Sequence, residues 1–185
     1  MKIIAALGVL LIASRVLAGD PQTYRRHLDR ATEIQGYSCA KGYAWFHSDG
    51  RLDSCTLDAQ SAFGVALAPA GSWIRLTPDG KPLYLGLARN TRILDSVCVG
   101  GGALGPQEGF TTAFYPSGKL RLCWLAGDQV VQGVPCRGAG GFFTAVTHGG
   151  RNPTAKFRED GTLQSCTLSK DFNGRRPGED FVKPH

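Results

Sequence analysis

"RLDSCTLDAQ", from Arg51 to Gln60, and "TLQSCTLSKDF", from Thr162 to Phe172, carry one phrase twice. Each follows an Asp-Gly pair, sets Leu three residues before Cys, and continues Thr-Leu. Working outward from the turn glycine gives two more copies. "WFHSDGRLDSCTL" holds Gly50, "IRLTPDGKPLYLGL" Gly80, "AFYPSGKLRLCWL" Gly118 and "AKFREDGTLQSCTL" Gly161. An apolar residue stands four before each glycine: Phe46, Leu76, Phe114 and Phe157. Leu52, Leu120 and Leu163 stand two after it, and Pro82 takes that place in the second copy. Pro-Asp-Gly and its relatives close a type I turn with glycine in the left-handed region. Each phrase therefore predicts a β-hairpin of short strands.

Beyond each hairpin the chain runs Leu, small polar residues and a second turn residue: "LDAQSAFG", "LARNTRILD", "LAGDQVVQG" and "LSKDFNG". Another short strand can follow that turn. The first three copies continue as "GVALAPAG", "DSVCVGGG" and "GVPCRGAG", and "GYSCAKG" before the first hairpin matches that tail. The repeating unit is tail, hairpin and connector. The steps from Gly50 to Gly80, to Gly118 and to Gly161 lengthen from 30 to 38 to 43 residues. "GGALGPQE" and "AGGFFTAVTHGG" hold the extra residues and read as loops.

The pattern aromatic-x-x-(Asp/Ser)-Gly-(Lys/Arg)-Leu, clearest in "FYPSGKLRLCWLAGDQVVQG" from Phe114 to Gly133, resembles the bacterial MORN-type variant repeat. The resemblance covers roughly residues 36–173 and implies a meander of successive hairpins. It implies roles in scaffolding, protein contact or lipid contact, and it carries over no functional residue. The longer, irregular period and the cysteines depart from the family pattern.

The cysteines fall into two classes. Cys39, Cys98 and Cys136 lie in the tails; Cys55, Cys123 and Cys166 lie five residues past a turn glycine. The first, third and fourth units have one of each class, and the second has neither. Aligning the tails puts Leu67 at one missing position, and counting five past Gly80 puts Leu85 at the other. Joint loss is what a bonded pair requires, so the expected bridges are Cys39–Cys55, Cys98–Cys123 and Cys136–Cys166, with Leu67 touching Leu85. The rival scheme, each post-turn cysteine to the next tail, pairs only Cys123 with Cys136.

The chain of 185 residues has room for one domain and a net charge of +6. Its basic clusters, "YRRHLDR" and "NGRRPG", lack the density of a nucleic-acid footprint. "MKIIAALGVLLIASRVLAGD" reads as a secretory signal cut after Ala18, with an uncleaved anchor open because Arg15 lies so close. Residues 1–18 are then the signal, 19–35 an N-terminal arm, 36–173 the repeat domain and 174–185 a tail. In the arm, Asp20 to Ile34 lacks glycine, and Tyr24, Leu28 and Ala31 share a helical face. A short helix lying on a sheet edge is expected there. The fold class is mainly β: a meander of about four antiparallel hairpin units with that helix.

Chemistry is sparse. No C-x-x-C, nucleophile elbow or phosphate loop occurs, so no metal or cofactor is expected. His47 occupies a position held by Thr77, Tyr115 and Arg158 in the other copies, and reads as a surface turn flank. Asp49, Asp79 and Asp160 precede turn glycines and suit turn chemistry. Asp58, Asp128 and Asp171 recur near the second turn, where a calcium role is conceivable. Trp45, Trp73 and Trp124 lie in or beside strands, as core residues or as an exposed row for glycan or peptide. The expected function is a secreted or periplasmic, non-enzymatic binding or scaffold module with a protein, cell-wall or lipid-headgroup partner. The alternative is a small secreted enzyme with its site in the loops around 100–108 and 138–150, pairing His148 with Glu108.

Overall fold

The computed structural model describes residues 23–101, 111–139 and 154–184. The signal segment 1–18, Glu108 and His148 lie outside the described residues, as do most of both inserted loops.

In chain order the strands are β1 (Tyr24–Leu28), a ribbon of β2 (Thr32–Ile34) and β3 (Tyr37–Cys39), and a hairpin of β4 (Gly42–Phe46) and β5 (Leu52–Thr56). A second ribbon, β6 (Ser61–Phe63) with β7 (Ala66–Ala68), precedes hairpin β8 (Trp73–Leu76) and β9 (Pro82–Gly86). A third ribbon, β10 (Thr91–Ile93) with β11 (Ser96–Cys98), precedes β12 (Thr112–Phe114) and β13 (Leu120–Trp124). A fourth, β14 (Gln129–Val131) with β15 (Val134–Cys136), precedes β16 (Thr154–Phe157) and β17 (Leu163–Thr167), and β18 (Asp180–Val182) closes the row. The hairpins join β1 and β18 in one ten-stranded antiparallel sheet, ordered β1-β4-β5-β8-β9-β12-β13-β16-β17-β18, and each ribbon is a separate two-stranded sheet.

Alternation along each strand fixes what faces the ribbons. Cys55, Ile74 and Leu85 lie in register across three strands, and all are buried. They share one core cluster with the ribbon residues Phe63, Ala68, Ile93, Cys98, Val131 and Cys136. Core residues of the sheet and of the ribbons therefore pack together between two layers. The opposite face carries the row Arg25, Trp45, Ser54, Arg75, Tyr84, Ala113, Leu122, Lys156, Ser165 and Val182.

Each turn is built alike. Gly50, Gly80, Gly118 and Gly161 have φ between +79° and +88°, the left-handed region that favours glycine. Each is followed by a register shift that leaves one residue of the second strand unmatched: Asp53, Leu83, Arg121 and Gln164. These are β-bulges, which re-aim a side chain.

The N-terminal arm is not helical where it is described. Tyr24–Leu28 pairs with β4 along all five residues, and Thr32–Ile34 opens the first ribbon. The alternation of Tyr24, Arg26 and Leu28 with Arg25 and His27 suits a strand, and the edge of β4 offers its inward backbone groups a ladder along all five residues. Tyr24 stacks on Phe46 at 5.6 Å, and the Arg26 guanidinium lies 4.4 Å from the same ring centroid. The arm thus takes the sheet edge, where it was expected, as a strand.

The disulfides are Cys39–Cys55, Cys98–Cys123 and Cys136–Cys166, with Cα separations of 5.6 to 5.8 Å. Each ties a ribbon's return strand to the second strand of the following hairpin. Backbone pairing does the same one step on, between Cys39 and Leu57, Cys98 and Leu125, and Cys136 and Leu168.

The second unit corrects the sequence reading. Leu67 does not reach the core beside Leu85; it is 55% exposed. Ala68 ends β7 as Cys39, Cys98 and Cys136 end their strands, and it is fully buried. The tail alignment was one residue out of phase, and in a strand that moves a side chain to the other face.

Candidate functional site

The four copies separate structure from function. A feature common to all belongs to the fold; one confined to a single copy does not come from the repeat. At the bulge the copies carry Asp53, Leu83, Arg121 and Gln164, so the bulge itself requires no particular side chain. Asp53 is nonetheless 4% exposed. It accepts from Ser54 Oγ at 2.9 Å and from Arg75 Nε at 3.2 Å. Ser54 is buried too, while the Arg75 side chain is 44% exposed.

His47 stands behind this carboxylate and is not a surface turn flank: it is 4% exposed. Its Nε2 lies 3.7 Å from Asp53 Oδ1, too long for a hydrogen bond. Neither ring nitrogen has a hydrogen-bond partner among the described residues. Each equivalent residue makes at least one side-chain hydrogen bond, although Arg158 Nε is also buried without a partner among the described residues. Thr77 Oγ1 accepts from the Lys81 N–H, Tyr115 Oη donates to the Phe157 carbonyl, and Arg158 Nη2 donates to the Lys183 carbonyl. A buried polar group without a hydrogen-bond partner costs about 1–3 kcal/mol, and the polar contact His47 does make is with the Asp53 carboxylate.

A cavity of ≈ 320 Å³ opens over these groups, lined by Thr23, Trp45, Asp53, Ser54, Trp73 and Arg75. Trp45 and Trp73 sit on β4 and β8 with β5 between them. Both face away from the core: Trp45 is 37% exposed and Trp73 is partly exposed. The result is a polar floor between two indoles. Tyr43 continues the aromatic surface, with the Arg25 guanidinium 4.8 Å from its ring centroid and His27 edge-on at 5.2 Å.

A second cavity, ≈ 490 Å³, lies between the third and fourth ribbons and includes Asn90, Asp95, Asp128 and Gln129 in its walls. Several of its polar groups already serve the backbone. Asn90 takes the N–H of Gly100, Asp128 that of Gly138, and Gln129 bonds both backbone groups of Val97. Asp128 thus has a structural task near the second turn. Asp49, Asp79 and Asp160 accept bonds within their own turns. Hydrogen bonds from Arg51, Thr77 and Thr162 respectively hold these carboxyls below the ordinary carboxylate range. Among the described residues no cluster of three His, Cys, Asp or Glu side chains could hold a metal ion.

The expected disulfide cysteines all lie in the core layer, away from this pocket's lining. Sequence reasoning passed over Asp53, and it took the variation at His47 for a free surface. Such variation has two causes, an unconstrained surface or a task held by one copy, and burial decides between them. The available signal was that only one copy joins a histidine before the turn to an acid after it. No family model matches the chain, and neither a curated protein nor a solved structure is significantly similar to it.

Proposed function

We infer that the protein is a secreted or periplasmic, non-enzymatic binding module of the cell envelope. It engages its partner with the outward face of the sheet, at the Trp45–Trp73 pocket. The three disulfides suit an oxidising compartment, and the apolar N-terminal segment supplies the export reading. The resemblance to MORN-type repeats, as hairpin scaffolds for contact, points the same way. The observation that carries the reading is that this pocket forms where the first hairpin meets the second, from side chains the other copies do not repeat: Trp45 stands where they have Arg75, Ala113 and Lys156, and Asp53 where they have Leu83, Arg121 and Gln164.

Binding suits the pocket better than turnover does. Glycoside hydrolysis uses a pair of carboxylates, and among the described residues Asp53 is the one carboxylate in this lining. A Ser-His-Asp arrangement places the imidazole between the hydroxyl and the carboxylate, whereas Ser54 donates directly to Asp53 and His47 lies behind it.

The test is co-sedimentation of the purified protein with cell-wall and membrane fractions of its own source. Wild type and Lys156→Ala, a change further along the same face, should sediment alike. The pair Trp45→Ala with Trp73→Ala should stay in solution. Equal sedimentation of that double variant would remove the pocket from the binding surface.

A further inference from the structure

We propose that the Trp45–Trp73 pocket takes one ring of a neutral glycan. The proposal rests on the binding-module reading above and names its ligand class. A cavity of ≈ 320 Å³ lies near the lower end of the roughly 300–1,000 Å³ typical of small-molecule sites, which suits one ring-sized unit more than a chain segment.

The chemistry of the walls selects the ligand. Two indoles offer flat, electron-rich faces, which favour the polarised C–H groups on the face of a sugar ring. Between them lie hydrogen-bonding groups of both kinds: the Asp53 carboxylate, the Ser54 and Thr23 hydroxyls, and the Arg75 guanidinium. A ligand that matches this has apolar faces and a hydroxylated edge.

Charge excludes the nearest competitor. A phosphate or an anionic headgroup would need a cation not already matched. Arg75 is paired with Asp53, and Arg25, which lies over Tyr43, is not among the lining side chains. An acidic carboxylate on the pocket floor also repels an anion. The adjacent carboxylate and guanidinium, both with bonding capacity left by their chemistry, suit vicinal hydroxyls, which can accept from one and donate to the other. His47 lies behind Asp53, 3.7 Å from its carboxylate and outside the lining.

The experiment is a fluorescence and calorimetric titration of the full chain with three probes. They are a panel of neutral oligosaccharides (gluco-, chito- and manno-oligosaccharides), inorganic phosphate, and phosphatidylglycerol vesicles. At least one neutral oligosaccharide should bind and perturb indole emission. Trp45→Ala and Trp73→Ala should each weaken it about tenfold or more, which is 1.4 kcal/mol or more. Thermal unfolding should show both variants still folded. Affinity should change less than about twofold when salt rises well past the level that screens surface charge. A saccharide response indifferent to both indoles would overturn the assignment. So would binding of vesicles or phosphate with no saccharide. If no saccharide binds while the indole-dependent co-sedimentation persists, the ligand class falls and the binding-module reading stands. If neither is seen, both fall.

Discussion

The first and second repeat units solve one packing problem differently. In the first, Cys39 and Cys55 tie the ribbon to the hairpin, the Ala40 N–H donates to the Thr56 carbonyl at 2.7 Å, and the ribbon tip reaches the turn through Gln35, whose side-chain oxygen takes the Leu52 N–H. In the second, all three ties are missing. Ala68 and Leu85 replace the cysteines, and prolines stand at the two donor positions, Pro69 where Ala40 lies and Pro82 where Leu52 lies. Proline has no N–H to give. Compensation comes from elsewhere: Ser72 Oγ accepts from the Ala88 N–H at 3.1 Å, and the ribbon tip bonds the third hairpin through Val65 N–H to the Gly118 carbonyl at 2.9 Å. The lesson is that bridge, ladder and tip contact change together, because they serve one interface.

The largest effect should come from exchanging the two solutions. Cys39→Ser with Cys55→Ser opens a bridge across a separation of 16 residues, a loss of about 3 kcal/mol by the chain-entropy estimate. Cys39→Ala with Cys55→Leu, which copies the second unit, should lose less in denaturant unfolding. Conversely, Ala68→Cys with Leu85→Cys should form a fourth bridge in non-reducing peptide maps. Leu67→Cys with Leu85→Cys should not, because position 67 faces solvent. A bridge from position 67 would restore the phase rejected above.

Next is the ribbon tip. Gly64 has φ +57°, and a Cβ there would stand 2.2 Å from the Gly118 carbonyl oxygen. Gly64→Ala must push the second ribbon off the third hairpin, at about 2 kcal/mol or more in equilibrium unfolding. Gln35→Ala, at the equivalent tip, removes one hydrogen bond and should cost about 1 kcal/mol. Equal losses would mean that the two tips dock alike.

His47 sharpens the contrast in the opposite direction. His47→Leu removes buried polar atoms without hydrogen-bond partners, so stability should rise by about 1 kcal/mol. Thr77→Leu, the same change in the second unit, breaks a satisfied turn bond and should lower stability. A loss of stability in His47→Leu would return that residue to the fold.

The smallest effect is electrostatic. Asp49, Asp79 and Asp160 have carboxyls held below the ordinary value of 3.8. A lowered folded value contributes stability above the unfolded value, and that stability is lost as pH falls through the folded one. The three groups are exposed, so the loss below pH about 4 should be slight. It should vanish in the triple Asp→Asn variant. Because Ser117 fills this place in the third unit, Ser117→Asp should add a similar increment in the same pH window.

Much of the fold was legible because its signals are local. A turn glycine with Asp or Ser before it, an apolar residue four before it and, in three copies, Leu two after it mark the hairpins without reference to anything distant. The cysteine pairing was legible because four copies allow a comparison that a single unit would not. Tertiary structure decided the rest. Tyr24–Leu28 became a strand because β4 offered an unpaired edge, which no property of the segment announces. The choice between Leu67 and Ala68 turned on a period of two, where one residue of misalignment reverses inside and outside. The placement of Trp45, Asp53 and Arg75 in one pocket, with His47 behind Asp53, required three strands of the sheet to align, bringing residues from β4, β5 and β8 together. Local sequence specifies turns and alternation; which faces meet, and which polar groups are left buried beneath them, is settled only when the strands pair.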